Sequence, residues 1–200
     1  MQSLNLYFLA IPDETATASM DKWLSSIAKN KSAADGGLRL WLTHVPETAT
    51  RPFLNARPFD IVSLPVRLSP SAREEYQVSL GGTPKKHMVC RTEFDDDASF
   101  EVLLSIAFEL MKRSGQGFLA IDNALGTKLL GPGKLGDPFE LADMASYPGA
   151  AFEVAHEDDE GALDVSWYVD ASWLNAWRKN RGRKMGPNDA FSRFASLDYA

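Results

Sequence analysis

The segment from Ser99 to Arg113 constrains the fold of this chain more than any other. Its apolar residues cover most of a helical circumference: Phe100, Leu103, Leu104, Ile106, Ala107, Phe108, Leu110 and Met111. A helix that is apolar nearly all round is a buried helix. Asp95–Asp97 precede its positive end, Lys112 and Arg113 lie near its negative end, and Gly115 supplies a C-cap. The sequence therefore predicts one long helix inside the core.

Upstream, the pattern begins as strand, helix, strand. Leu4 to Ile11 is typical of a strand that is buried on both faces. Asp13 and Thr15 offer N-caps for a helix, and its apolar stripe consists of Met20, Trp23, Leu24 and Ile27. The next strand alternates two sets of side chains: Leu38, Leu40 and Leu42 on one face, and Arg39, Trp41 and Thr43 on the other.

Two more extended segments precede the long helix. Phe59 to Leu68 is predicted as a strand, and Pro65 within it indicates an edge strand or a bulge. The polar stretch from Ser69 to Pro84 is predicted as a connection that turns at Gly81-Gly82. His87 to Phe94 alternates again, with Met88, Cys90 and Phe94 on one side and His87, Arg91 and Glu93 on the other.

Downstream of the long helix the chain returns to strands. Phe118 to Ile121 is a short strand, and Asp137-Pro138 starts a short helix that runs from Phe139 to Ala145. Phe152 to His156 and Leu163 to Val169 form a predicted β-hairpin with an acidic tip. The last predicted helix is marked by Trp173, Leu174 and Trp177.

The predicted order is β-α-β-β-β-α-β-α-β-β-α. Because strands and helices do not alternate regularly, this order favours an α+β fold with a mostly antiparallel sheet and helices on one face. Residues 1–180 are predicted as a single domain, and 181–200 as a C-terminal tail packed on it. A 200-residue chain with 44% hydrophobic residues is long enough to bury a core of that kind.

Charge and cysteine content narrow the function. The net charge of −6 argues against nucleic-acid binding and favours a basic protein partner. Cys90 is the only cysteine, so no disulfide framework exists. No stretch reaches the roughly 20 apolar residues of a membrane span, and Met1 to Ile11 has no signal-peptide pattern. We therefore expect a cytoplasmic protein that does not bind membranes.

The one motif with a chemical reading is Gly131-Pro132-Gly133-Lys134-Leu135-Gly136. It fits G-x-G-x-x-G, the pattern of dinucleotide-binding loops. Such a loop needs a strand directly before it and a long helix after it, whereas Pro132 stiffens this turn and the helix that follows is short. The sequence favours a surface turn, and a small-ligand or nucleotide-binding enzyme using Gly131–Gly136 stays an alternative.

Metal and nucleophile chemistry are not predicted. His44, His87 and His156 lie on separate predicted strands without a spaced partner ligand, so no metal site or other cofactor is expected. Cys90 lies on the predicted inner face of its strand, where packing is the ordinary role of a free cysteine. With no catalytic constellation in view, the chain is predicted not to be an enzyme.

Three groups of residues could contact a protein partner. The acidic ones are Asp95, Asp96 and Asp97, at the start of the long helix, and Glu157, Asp158, Asp159 and Glu160, at the hairpin tip. Trp167 and Trp173 are candidate interface anchors, although tryptophan also packs well in a hydrophobic core. The basic run of Arg178, Lys179, Arg181, Arg183 and Lys184 is interpreted as a helix C-terminus with a solvated tail.

In size, charge and layout the chain resembles the small acidic α+β immunity proteins of bacterial toxin systems, including those paired with type VI secretion effectors. A local likeness lies in Ser99 to Asp122, a buried helix, a glycine break and a strand ending in Asp. The resemblance implies a non-catalytic protein that binds and neutralises a cognate toxin. A structural or self-assembling component is a further alternative.

Overall fold

A computed structural model describes residues 1–34, 36–42, 57–122, 125–126, 129, 147–157, 161 and 163–182. In this part of the chain, eight strands form one open sheet in which every pairing is antiparallel, and four helices pack against it. The predicted α+β class with a mostly antiparallel sheet is confirmed. The predicted tail, 183–200 of it, and the predicted helix from Phe139 to Ala145 lie outside the described residues.

The elements follow one another along the chain as strands β1 (Gln2–Phe8), β2 (Ala28–Ala34), β3 (Gly37–Leu42), β4 (Pro58–Leu64), β5 (Lys86–Thr92), β6 (Gly117–Ile121), β7 (Ala151–Glu157) and β8 (Leu163–Asp170), and helices α1 (Glu14–Ile27), α2 (Pro70–Leu80), α3 (Asp97–Ser114) and α4 (Ala171–Gly182). The strand order across the sheet is β2-β3-β4-β5-β1-β6-β8-β7. Thus β1 lies in the interior of the sheet, between β5 and β6.

The first face of the sheet carries the main core. Helices α1, α3 and α4 pack over this face, and α3 contacts β1, β5 and β6 as well as the other two helices. The core joins the apolar side of α3 to buried strand residues such as Leu6, Phe8 and Leu40. The predicted buried helix is therefore confirmed as the centre of the larger core.

Helix α3 extends beyond the predicted run of Ser99 to Arg113 by two residues at its start and one at its end, and Gly115 is its C-cap as predicted. The Asp96 carboxylate accepts a hydrogen bond of 3.0 Å from the backbone N–H of Ser99 and so caps the first turn. Gly115 ends the helix in the left-handed region, at φ 73°, and its N–H donates to the carbonyl of Met111. That conformation favours glycine because other residues meet a steric penalty there.

The second face of the sheet is covered differently. Helix α2 packs there, mainly against β7, and buries Ala72, Tyr76 and Leu80 with Val154 and Tyr168. The three predicted helices among the described residues, α1, α3 and α4, share the first face as expected. The sequence predicted a polar connection where α2 lies, and this additional helix packs on the second face. The same arrangement corrects the expectation for β1: Leu4, Leu6 and Phe8 are buried, while Asn5 and Tyr7 on the second face are only partly covered.

Strands β2 and β4 differ from what their own sequences predict. Strand β2 has no apolar alternation in its AKNKSAA sequence, and it is held at the sheet edge by pairing with β3. Strand β4 is an interior strand between β3 and β5, not an edge strand, because Pro65 follows its last residue instead of interrupting it. The pairing of β2 is local, since β3 follows it directly in the sequence, whereas β4 pairs with strands that lie farther away along the chain.

Candidate functional site

The acidic segment at the start of α3 is largely engaged within the molecule. The Gln2 side-chain amide donates to the Asp95 carboxylate at 2.8 Å, and Asp96 pairs with Arg57 as well as capping α3. Asp97 is exposed in the first helical turn, where its charge favours the positive helix end. Of the three predicted contact residues, Asp96 therefore has an internal role that fully accounts for its position.

The surroundings of Asp96 fix its charge. Burial by itself would raise the pKa of this carboxyl group, but the hydrogen bonds from the Ser99 backbone and hydroxyl and the charge of Arg57 outweigh burial and hold the pKa below its ordinary value. Arg57 also donates to the Ser99 hydroxyl at 2.8 Å and lies over the Phe94 ring, 4.5 Å from its centroid. This network ties the entry of β4 to the start of α3.

The predicted tryptophan anchors lie in the core. Trp173 is fully buried and Trp167 is 6% exposed, and both belong to the cluster beneath the first face of the sheet. The Trp173 ring meets Tyr147 edge-on at 5.2 Å, and its backbone N–H donates to the Asp170 carboxylate at 2.8 Å. These positions leave little of either side chain for a partner, so the core role that the sequence left open describes them.

The acidic hairpin is present, but its tip is not described. Strands β7 and β8 pair antiparallel from Ala151↔Val169 to Glu157↔Leu163, which confirms the two predicted strands. Asp158, Asp159 and Glu160 lie outside the described residues, as do the loop Gly131–Gly136 and the side chain of Glu157. The partner role of this tip and the nucleotide role of that loop stay predictions.

Cys90 and His87 occupy opposite faces of β5. Cys90 is fully buried in the core on the first face, and burial raises the pKa of its thiol to about 12. His87 is on the second face, stacked on Tyr7 at 4.4 Å with its Nε2 3.0 Å from the Asn5 side-chain oxygen. Burial lowers the His87 pKa, so its imidazole is neutral at physiological pH.

The most pronounced polar constellation crosses three neighbouring strands on the second face. Arg39 on β3 is in register with Asp60 on β4, and Asp60 is in register with Arg91 on β5. Arg39 donates from Nε and Nη2 to the two carboxylate oxygens of Asp60, at 2.7 and 2.9 Å. Arg91 Nε lies 3.6 Å from the nearer Asp60 oxygen, an ion pair beyond hydrogen-bond distance. We call these three residues the arginine row.

Exposure within the arginine row is uneven. The Asp60 side chain is 9% exposed, whereas those of Arg39 and Arg91 are 36% and 40% exposed. The hydrogen bonds from Arg39 lower the pKa of Asp60 against the opposing effect of burial, and the same bonds raise the pKa of Arg39. A nearly buried carboxylate thus holds the Arg39 guanidinium by hydrogen bonds and attracts that of Arg91, and both arginine side chains are partly exposed to solvent.

A pocket of about 230 Å³ opens at the arginine row. It is lined by all three members of the row and by Met1, Pro58, Thr92 and Glu93. The Thr92 hydroxyl is already committed, since it donates to the carbonyl of Pro58 at 3.0 Å. Glu93 is exposed and contributes a second negative charge at the rim.

Trp41 lies on the same half of the second face as the arginine row. It is two residues from Arg39 on β3 and in register with Pro58, and it alternates with Leu40 and Leu42, which are buried on the first face. Its side chain is only partly covered. Since α2 packs over the other half of this face, the described helices leave the side of Trp41, Arg39 and Arg91 uncovered. We call these three residues the open-face patch.

The open-face patch was missed as a site, although part of its signal is visible in the sequence. Alternation already separates Arg39 and Trp41 from their leucine neighbours, and Arg91 from Met88 and Cys90. What alternation does not give is the register that joins Arg39, Asp60 and Arg91 across three strands. A charged residue at the centre of a strand, such as Asp60, is the clue to a cross-strand partner.

Comparison of this chain with protein-family models, curated proteins and solved structures gave no match. Among the helices of the described segments, none has the length and apolar character required to cross a membrane. Within the same segments, no cluster of three or more His, Cys, Asp or Glu side chains is arranged to hold a metal ion. The fold and the site together define an α+β protein with an eight-stranded antiparallel open sheet and a charged patch on one half of a sheet face.

Proposed function

We propose that this chain is a non-catalytic protein-binding domain that neutralises a cognate bacterial toxin, and that the open-face patch contacts the toxin. The observation that carries the proposal is the combination of Trp41 with Arg39 and Arg91 on the half of the sheet face that the described helices leave uncovered. Tryptophan and arginine are the residues most enriched among those that dominate binding energy at protein interfaces. A sheet face also provides a rigid support for them.

The arrangement of the arginines favours binding over chemistry. Asp60 holds the Arg39 guanidinium by two hydrogen bonds before any partner arrives, so less side-chain entropy is lost on association. The same bonds keep Asp60 ionised and occupied, which makes it a poor general acid or base. The Cys90 thiol, buried and with a pKa of about 12, stays protonated and is a poor nucleophile.

Charge supports a role in recognition. The net charge of −6 gives the domain a field that attracts a basic partner. Glu93 lines the pocket and is exposed, and so is Asp97, four residues later in the chain. Arg39 and Arg91 contribute positive charge to the same pocket. An interface with both signs in fixed positions discriminates between partners, because a mismatched charge is costly to desolvate.

The experiment is co-expression of the tagged chain with the toxin candidate encoded beside its gene, followed by co-purification and a growth assay. We expect a stoichiometric complex and protection from toxicity. Trp41→Ala and Arg91→Gln should each weaken both effects. Val78→Ala is the matched control, since Val78 is 81% exposed on α2, away from the patch.

Two results would count against this proposal. If the candidate toxin forms no complex and the chain gives no protection, the neutralising function is wrong for that partner. If a complex forms and both patch variants bind as tightly as the Val78 control, the contact surface lies elsewhere. Circular dichroism of each variant establishes that the fold is retained before either result is interpreted.

A further inference from the structure

We propose that the pocket at the arginine row receives one carboxylate from the partner protein, the side chain of an Asp or Glu, through Arg91. This inference rests on the proposed protein-binding function and specifies the chemistry of its contact. It follows from a difference between the two arginines: Arg39 lies within hydrogen-bond distance of Asp60, and Arg91 lies farther away. Asp and Glu side chains both end in a carboxylate, an anionic group whose two oxygens match the forked donors of a guanidinium.

Asp60 holds Arg39 more closely than it holds Arg91. Arg39 uses Nε and Nη2 on Asp60, with distances of 2.7 and 2.9 Å that leave little freedom for that edge of its guanidinium. Arg91 approaches Asp60 only to 3.6 Å through Nε, and its side chain is 40% exposed. Arg91 can therefore turn its guanidinium toward an incoming carboxylate and give up only a weak contact of 3.6 Å with Asp60.

The charges of the arginine row favour an anion in the pocket. Two guanidinium groups flank the single carboxylate of Asp60, so the row carries a surplus positive charge. Glu93, the other acid of the lining, is exposed at the rim, where water screens it. An incoming carboxylate would meet Arg91 in a partly desolvated setting, where charge-assisted hydrogen bonds are stronger than in open solvent.

The size of the pocket indicates a side chain as its ligand. Its volume of about 230 Å³ is below the range of roughly 300–1,000 Å³ typical of pockets for cofactors and drug-sized ligands. An acidic side chain needs far less room than a nucleotide. A basic partner carries such carboxylates as well, so the overall charge of the domain and this local contact are compatible.

The test uses the full chain, labelled with ¹⁵N, and observes the arginine Nε–H signals by NMR. The probe is the capped tripeptide acetyl-Ala-Glu-Ala-amide, with its Gln analogue and inorganic phosphate as comparison arms at constant ionic strength. We expect a saturable shift of the Arg91 signal with the Glu peptide and none with the Gln peptide. Arg91→Gln should weaken peptide binding by about tenfold or more, and Arg91→Lys should weaken it less.

Arg73→Gln is the control, because Arg73 is exposed on α2 and its loss should leave binding unchanged. Equal shifts with the Glu and Gln peptides, no saturation, or full binding by Arg91→Gln would overturn the inference. Saturation by phosphate without saturation by the Glu peptide would also overturn it, in favour of a phosphate site. The assay needs no toxin, so failure to form the toxin complex rejects the proposed function independently of this result.

Discussion

Arg39 and Asp60 face each other in register on β3 and β4, and the Arg39 guanidinium donates hydrogen bonds of 2.7 and 2.9 Å to the two oxygens of the Asp60 carboxylate. The pair fixes a charge in a position on β4 where the flanking residues Phe59 and Ile61 point into the core. Because the carboxylate is almost buried, its contribution to stability depends on keeping both its charge and its partner.

Replacing Asp60 by Asn should destabilise the fold by about 1–3 kcal/mol at neutral pH, because two arginines lose their shared counter-charge. The pKa of Asp60 is lowered in the folded state from its ordinary 3.8, so this contribution is complete above that value and is lost as pH falls through the folded pKa. Urea unfolding should show that the difference in the free energy of unfolding between the unaltered chain and Asp60→Asn becomes smaller as the pH is lowered. Glu75→Gln, at an exposed position on α2, is the control, and a pH-independent difference would contradict the assignment.

The acidic segment before α3 offers a second comparison between neighbouring residues. Asp96→Ala should cost about 1–2 kcal/mol, because Asp96 caps α3 through the Ser99 N–H. Asp97→Ala should cost about 0.3–1 kcal/mol, because Asp97 is exposed and acts only through the helix dipole. Chemical denaturation measures both values. Equal losses, or a larger loss at Asp97, would show that the cap is not what Asp96 contributes.

His87 makes stability dependent on pH near neutrality. Burial lowers its folded-state pKa below the ordinary 6.5, so the unfolded chain binds a proton that the folded chain does not. Stability should therefore be complete above that value and fall as pH drops below it toward the folded pKa. Thermal unfolding between neutral pH and about pH 5 should show a smaller acid loss for His87→Gln than for the unaltered chain. An identical acid loss in both proteins would remove His87 as its source.

How far the sequence predicts this fold depends on how much of each element is recorded locally. Helix α3 is predicted from its own residues, because apolar side chains surround it and its caps are adjacent in sequence. The sequence predicts a connection where helix α2 lies, because most of its residues are polar, and in the structure the helix buries just Ala72, Tyr76 and Leu80. Its Ser69 cap, followed directly by Pro70, is the local signal that could have identified it.

The candidate site depends on information that no single segment contains. Alternation places Arg39, Asp60 and Arg91 on one face of their respective strands, but each strand could slide or find another neighbour. The pairing of β3 with β4 and of β4 with β5 brings the three side chains into one row. The predicted anchors Trp167 and Trp173 turned out to be core residues for the same reason, because the sequence records ring size and not the packing of neighbouring elements.

Trp41 and Trp173 therefore separate binding from folding in one experiment. Trp173 is fully buried among core residues, so Trp173→Ala should destabilise the chain by about 3–5 kcal/mol. Trp41 is partly exposed on the open-face patch, and Trp41→Ala should cost about 1 kcal/mol or less. If the patch contacts the toxin, the order reverses in an affinity measurement. There, Trp41→Ala should lose about tenfold or more in binding, as central interface residues do.

The comparison must be made on folded protein, so Trp173→Phe replaces Trp173→Ala in the binding arm because it keeps an aromatic ring in the core. We expect Trp173→Phe to bind the toxin as the unaltered chain does, once its folded fraction is taken into account. Urea unfolding gives the stability of each variant, and calorimetric titration gives its affinity. Loss of stability at Trp41 comparable to that at Trp173 would place Trp41 in the core. Unchanged affinity of a folded Trp41→Ala variant would remove it from the interface, because a partly exposed tryptophan at the centre of a contact cannot be truncated without loss of buried apolar area.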